Sequence, residues 1–277
     1  MIKEKESLFS VSMSVYKNDD PENFREAVES VYKQTEKPTE VILVVDGPIS
    51  EQILTIIKEF ENSYSNFKSV WLEINMGHAH ARRIGLENCS YEIVALMDSD
   101  DINVENRFEK QLEVLLEDPS IIVVGGQIEE FDDELGETVG QRIVPLEDVA
   151  IKKYMKIRCP MNQVTVMFRK KDVLKAGGYL DWYHNEDYYL WIRMAIAEKK
   201  FKNIDDVLVK VRVNRNMYSR RGGWLYFKSE RKIQQLMYSE NIINSYRFIT
   251  NVSIRFIVQV LMPNSLRKFL FTKFFRN

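Results

Sequence analysis

The chain has 277 residues, 45% hydrophobic and 29% charged, enough to bury a sizeable core in one large domain with an appendage. A formal charge of -2 at pH 7 argues against a nucleic-acid partner held by bulk electrostatics. Two cysteines, Cys89 and Cys159, make no disulfide framework and fit a reducing compartment, and MIKEKESLFS carries charges where a signal peptide has its apolar core.

The first half alternates strand and helix. Phe9 to Tyr16 reads as a strand, followed by the polar loop Lys17 to Asp20. Asp20 suits an N-cap and Pro21 the first helical position, and Phe24, Ala27, Val28 and Val31 fall at the spacing of one buried helix face. A second strand, Val41 to Val45, ends at Asp46-Gly47; the helix near Glu51 to Glu61 carries Ile53, Ile56, Ile57 and Phe60 on one side. A third strand, Ser69 to Leu72, leads through Asn75-Met76-Gly77 into a helix bearing Arg82 and Arg83. Ile93 to Met97 is an apolar run that reads as a strand buried on both faces. A helix near Val104 to Glu117 and a strand from Ile121 to Gly125 follow. This rhythm predicts an α/β fold with a mostly parallel sheet and helices on both faces.

The strand Ile93 to Met97 ends in Asp98, Ser99, Asp100 and Asp101. Three carboxylates within four residues repel one another and call for a cation, and open α/β sheets bind ligands at the carboxyl ends of their strands. All-oxygen ligation suits a hard divalent ion, Mg2+ or Mn2+, and Mg2+ is usually shared with substrate phosphates, so the cluster predicts a phosphorylated ligand too. An acidic helix-capping turn is the alternative. No GxGxxG follows the first strand and no GxxxxGK[ST] occurs, which argues against a dinucleotide-type enzyme and a P-loop NTPase. The polar groups at the other strand ends are Ser14, Tyr16 and Asp46. Asp46 can accept hydrogen bonds from a base or ribose, or be an ordinary Asp-Gly turn residue; Tyr16 can pack on a base.

In the second half, Gly125-Gly126 opens a polar segment to about Val144, read as a β-hairpin with an acidic bend, and Pro160 to Arg169 reads as a strand. Gly177-Gly178 fits a helix C-cap leading into Tyr179. In WYHNEDYYLWIRM, Glu186 and Asp187 stand where a helix begins, with Leu190, Trp191 and Met194 as buried positions. The pair can be helix-terminal anions stabilised by the dipole, or can supply a general base. Beyond Glu240 no acidic residue remains, while Arg247, Arg255, Arg267, Lys268, Lys273 and Arg276 do; Phe248, Val252 and Phe256 recur at helical spacing, and FLFTKFFRN closes the chain. Arg247, Arg255 and Pro263 interrupt any run of membrane-spanning length. The segment either packs on the protein's own core or, as the expectation preferred here, lies on an anionic membrane surface.

The series SVSMSVYKND, EVILVVDG, NMGHAHARRIGL and ALMDSDD resembles the nucleotide-binding half of family-2 glycosyltransferases, which have the GT-A fold. Arg83 stands where Asn is usual, and Asp46 is one aspartate where many members have two. Met161 to Arg193 is similar to the family's acceptor half, with its Gly-Gly-Tyr and Glu-Asp-x-x-Leu-Trp-x-Arg signatures. VRVNRNMYS resembles Tyr-Arg-x-His-x-x-Ser, with Val211 for the Tyr and Asn214 for the His, so no metal-ligand role is carried over to Asn214.

The resemblance covers about 8–220 and implies a GT-A catalytic domain over 1–220, with a nucleotide-binding half at about 8–125 and an acceptor half at about 126–220; by its own residues the remainder, 221–277, reads as a helical, basic appendage. It implies metal-dependent, inverting transfer of a sugar from a nucleotide-diphosphate sugar, by analogy a uridine diphosphate sugar, to a saccharide or lipid-linked saccharide in surface polysaccharide synthesis. The enzyme would be cytoplasmic and peripheral on the inner face of the cell membrane. Ser14, Tyr16, Asp46, Arg82 and Asp98 would bind the nucleotide. Asp100, with Asp98, would hold Mg2+ or Mn2+. Asp187 would be the base beside Glu186, and Asn162, Gln163 and Trp182 would face the acceptor. A sugar-1-phosphate nucleotidyltransferase would need a Gly-rich, Arg/Lys-bearing loop after the first strand, which Lys17-Asn18-Asp19-Asp20 does not resemble. A non-catalytic, membrane-associated saccharide-binding protein is the third expectation.

Overall fold

The parallel half of the sheet follows from its apolar runs. In a computed structural model, which describes residues 8–132, 137–213 and 222–263, β1 (Phe9–Val15), β2 (Glu40–Asp46), β3 (Phe67–Leu72) and β4 (Ile93–Met97) pair in parallel in the order β3-β2-β1-β4. Every residue of β2 and β4 is buried, as a strand covered on both faces requires. Alternation sorts the two faces. Ile93, Ala95 and Met97 join a cluster with Phe24, Ile53 and Phe108, while Val94 and Leu96 join one with Leu86 and Trp191.

The helices between the strands are α1 (Pro21–Tyr32), α2 (Glu51–Ser63), α3 (His78–Asn88) and α4 (Arg107–Glu117). Asp20 caps α1, accepting from the Glu22 and Asn23 amides, and Ser50 caps α2, accepting from the Ile53 amide. The helix expected from Val104 starts at Arg107, because Ile102–Asn103 is drawn out as β5 by antiparallel pairing with a later strand, β9 (Lys200–Arg212).

The second half is mixed. β6 (Ile121–Asp132) runs past the expected Gly125 and forms a hairpin with β7 (Glu137–Arg142); the acidic bend at 133–136 lies outside the described residues. β8 (Met167–Arg169) is wedged antiparallel between β4 and β6, and β9 (Lys200–Arg212) runs parallel to β6. The expected strand Pro160 to Arg169 is therefore only three residues long. Upstream of it Gln163–Thr165 is a 3-10 turn, held because the Thr165 hydroxyl and amide both donate to the Asn162 carbonyl. Helices α5 (Asp148–Met155), α6 (Lys170–Lys175) and α7 (Glu186–Ile196) complete this half, and Gly177 and Gly178, both at positive φ, end α6 as expected.

Helices α8 (Trp224–Ser239) and α9 (Ser245–Phe256) pack onto the same body. Ile233 and Met237 of α8 share the cluster of Trp191, and Phe248 of α9 packs against it. The Asn251 amide donates to the Lys156 carbonyl, and Arg255 pairs with Glu230 at 2.6 Å. One face of α9 thus takes the core-packed form and neutralises one of the six basic residues, while Tyr246, Ile249, Ile257 and Leu261 remain exposed. Arg267, Lys268, Lys273, Arg276 and FLFTKFFRN lie outside the described residues, as does the segment of Asn214. Among the described residues no helix is long and apolar enough to cross a membrane, and Cys89 and Cys159 are free thiols.

Candidate active site

The carboxyl ends of β1, β2 and β4 open on one side of the sheet, and α3 brings a guanidinium across them. Arg82 is only 7% exposed. One terminal nitrogen donates to Glu186 Oε1 and the other to Asp98 Oδ1, each at 3.0 Å. The rigid fork of arginine lets one cation serve two carboxylates at once. It joins β4 to α7, and so ties the two halves of the chain together. Burial works against a charge on Asp98, but Arg82 overrides it and holds Asp98 below the usual carboxylate range. His78, the first residue of α3, lies 3.8 Å from Asp98 Oδ1 and 3.6 Å from Glu186 Oε1. Desolvation and the neighbouring Arg82 push His78 down to about 4, so its imidazole is neutral at pH 7.

Among the described residues, the rest of the acidic cluster forms no ion pair of that kind. Asp100 is exposed, yet partial desolvation, and then repulsion from Asp98 and Asp19, push it up to about 6. Asp19 accepts from the Tyr16 amide and the Ser99 hydroxyl, and burial pushes it to about 6 as well. Asp101 is buried against the Arg212 amide and lies well above the usual range, through burial and the repulsion of Asp100 and Asp98. Behind β4, the fully buried Arg107 spends its donors on the Leu96 carbonyl, Asn103 and Gln111. These oxygen donors and their unrelieved repulsion fit a hard divalent cation. With Asp98 in the Arg82 fork, Asp100 is the open carboxylate. No group of three His, Cys, Asp or Glu side chains among the described residues is arranged to hold a metal; a cation held by one or two carboxylates completes its shell with water and substrate phosphate oxygens.

Beside the cluster is a cavity of about 690 Å3, lined among others by Gly77, His78, Gln163, Trp182, Glu186 and Asp187. Glu186 is 8% exposed and locked to Arg82, so it neither caps α7 nor stands free for an acceptor. Asp187 differs. Its Oδ1 accepts from the Tyr188 amide at 2.6 Å, and the Cys159 thiol lies 3.7 Å from its Oδ2. Burial holds the Cys159 thiol well above its ordinary pKa, so it remains a neutral donor. Trp182 stacks on Tyr189 at 4.0 Å, and Gln163 donates to the Tyr179 hydroxyl at 2.8 Å. Asn162 is 1% exposed and is not on the cavity wall; its amide holds the Gly126 and Arg142 carbonyls, a bracing role for β6 in place of the acceptor contact expected for it.

On the nucleotide side, Ser14 shares a small hollow with Arg82 and Asp98, and Tyr16 is exposed just past β1. Asp46 is 4% exposed, and its two oxygens accept from the Met76 and Gly77 amides at 2.7 and 3.0 Å. It therefore clamps the loop that delivers α3, and Gly47 makes the turn. Gly47 has φ +85, and a Cβ there would stand 2.5 Å from the Asn75 amide nitrogen. Gly47→Ala is expected to push that loop away and to destabilise the protein by about 2 kcal/mol, measured as a lower Tm with weaker donor binding. His78, Asp19, Arg107 and Cys159 had no sequence signal of their own. His78 and Asp19 were within quoted motifs, without a role of their own, and Arg107 and Cys159 were outside them.

A parallel-centred sheet with carboxylates at its strand ends, joined through one arginine to a second carboxylate pair on a cavity wall, is the arrangement of a GT-A glycosyltransferase. Residues 10–178 match the family described as Glycosyl transferase family 2, and the chain belongs to that family. It is 37% identical over 268 residues, 97% of this chain and 96% of the relative, to the UDP-Gal:alpha-D-GlcNAc-diphosphoundecaprenol beta-1,3-galactosyltransferase of Escherichia coli. It is 35% identical over 266 residues, 96% of this chain and 98% of the relative, to the amylovoran biosynthesis glycosyltransferase AmsE of Erwinia amylovora. The structure superposes on a fragment of S. aureus TarS in complex with UDP-GlcNAc with a TM-score of 0.69, covering 95% of this chain and 75% of that one at 18% identity.

Proposed function

We propose that this glycosyltransferase moves a sugar from a uridine diphosphate sugar to a saccharide carried on a lipid diphosphate, with inversion and with a divalent metal, during surface polysaccharide synthesis at the cytoplasmic face of the membrane. The observation that carries the reading is the Arg82 fork. By engaging Asp98 and Glu186, it leaves Asp187 as the open carboxylate on the cavity wall. The names of the relatives support the donor and acceptor classes. The exposed apolar face of α9 supports the membrane location.

In this reading Ser14, Tyr16 and the loop clamped by Asp46 receive the nucleoside. Asp100, with Asp98 beside it, would hold Mg2+ or Mn2+, whose chemistry there is neutralisation of the leaving diphosphate. Asp187 takes the proton of an acceptor hydroxyl lying over Trp182 and Gln163. The oxygen forms its bond to the anomeric carbon from the side opposite the diphosphate, the bond to that diphosphate breaks, and its electron pair leaves with the nucleotide. No covalent enzyme intermediate is needed. The test is a panel of uridine diphosphate sugars with a lipid-diphosphate saccharide, with and without Mn2+. The expected product shows by NMR an anomeric configuration opposite to that of the donor; retention would exclude the single displacement.

A further inference from the structure

Helix α8 presents Leu225, Lys228, Ser229 and Lys232 at i, i+3, i+4 and i+7, along one face. That face borders a hollow of about 250 Å3 whose wall also includes Asp181, Trp182 and Tyr183. The same three residues line the catalytic cavity, so the hollow adjoins it through a common wall. The arrangement is fixed, because the Ser229 hydroxyl donates to the Tyr183 carbonyl at 2.7 Å and thereby pins the loop that runs into Glu186-Asp187.

The two lysines have no evident structural task. Lys110, Lys152 and Lys199 each pair with an aspartate, whereas Lys228 and Lys232 form no ion pair among the described residues. Their ammonium groups instead lie 5.6 Å from the Trp224 ring and 5.9 Å from the Trp182 ring, which holds both near the hollow. Next to them Trp224 and Leu225 are 52% and 61% exposed. The turn Ile257–Leu261 lies alongside, where the Gly223 amide donates to the Gln259 carbonyl, and it adds the exposed Ile257 and Leu261.

Moving away from Asp187, the surface therefore changes from a carboxylate and an indole, to two cations, to an apolar strip. A lipid-linked acceptor has its parts in that order: sugar hydroxyls, two phosphates, a hydrocarbon chain. We propose that Lys228 and Lys232 form the subsite for the acceptor's diphosphate, with Asp181 and Trp182 on its sugar and Trp224 and Leu225 on the start of its lipid. Lysine suits this task as a mobile point charge that can follow either phosphate. The inference rests on the acceptor class proposed above and assigns the residues that select it.

The test uses the full chain at fixed donor and metal, with two synthetic acceptors: a saccharide joined through diphosphate to a short alkyl chain, and the same saccharide as an alkyl glycoside. For the double variant Lys228→Gln, Lys232→Gln, KM for the diphosphate acceptor is expected to rise about tenfold, the loss of two solvent-exposed charge contacts. KM for the glycoside should not follow. Geranyl diphosphate, which lacks a sugar, should compete with the diphosphate acceptor in the wild type and lose that competition in the double variant. The pair Lys228→Arg, Lys232→Arg should restore both. An unchanged KM in the double variant, with a wild type that prefers the diphosphate acceptor, overturns the lysine assignment while the acceptor class stands. Equal rises in KM for both acceptors overturn it as well, as a merely structural effect. A wild type indifferent to the diphosphate overturns the assignment and the acceptor class together.

Discussion

Asp187→Asn is expected to bind donor normally and to lose sugar transfer by about 10²- to 10⁴-fold, the usual cost of removing a general base. The amide keeps the shape of the side chain but cannot take up the acceptor proton. Donor affinity should hold, because Asp187 lies on the cavity wall and the Arg82 fork goes to Glu186 and Asp98. The informative companion is Glu186→Gln. Its carboxylate is buried at 3.0 Å from Arg82, so neutralising it leaves part of a buried guanidinium charge uncompensated. That variant should show a lower Tm, with transfer reduced as a consequence of a displaced Arg82. If Asp187→Asn transferred sugar at the wild-type rate while Glu186→Gln stayed folded and inactive, the base would be Glu186.

The second large effect concerns Asp100. Asp100→Asn should abolish the gain in donor affinity that Mn2+ confers, and in metal-free buffer it should be more stable than the wild type at neutral pH. The sign follows from the raised pKa. Asp100 sits at about 6 in the fold against an ordinary value of 3.8, so the folded state binds its proton more tightly than the unfolded chain does. Ionising it therefore costs the fold stability, and the cost grows as pH rises from about 4 to about 6 and is constant above that. The Asn variant should gain ~1 kcal/mol at pH 7 once solvent screening at the exposed tip is allowed for, and the gain should vanish below about pH 4. Melting curves at pH 4 and pH 7, with and without Mn2+, give all four readings. Donor affinity in the variant that still responds to Mn2+ would remove Asp100 from the metal site.

Much of this protein was legible in its local sequence, for a physical reason. Strand burial, helix faces and caps depend on residues close together in the chain: the run Ile93 to Met97, the Asp20-Pro21 start of α1, the Gly177-Gly178 end of α6. A cluster such as Asp98, Asp100 and Asp101 also announces its own electrostatic problem, because the repelling charges are adjacent. The resemblance to the family is carried by the order of SVSMSVYKND, EVILVVDG, NMGHAHARRIGL and ALMDSDD along the chain, which depends on no tertiary contact.

What only the tertiary structure decided were pairings between residues far apart in sequence. Arg82 and Glu186 are 104 residues apart, and their contact turned an adjacent acidic pair into one locked and one open carboxylate. Asn162 was drawn to the Gly126 carbonyl, 36 residues away, because a buried amide must satisfy its donors, and so it is not on the cavity wall. The segment beyond Glu240 had an amphipathic pattern compatible with either a core or a membrane. Contacts to Glu230 and to the Lys156 carbonyl placed one face inward, since periodicity specifies that a face is apolar and leaves open what covers it. Lys228 and Lys232 carry no signal in the local sequence; a wall contributed by Trp182, some fifty residues upstream, is what places them beside the cavity of Asp187.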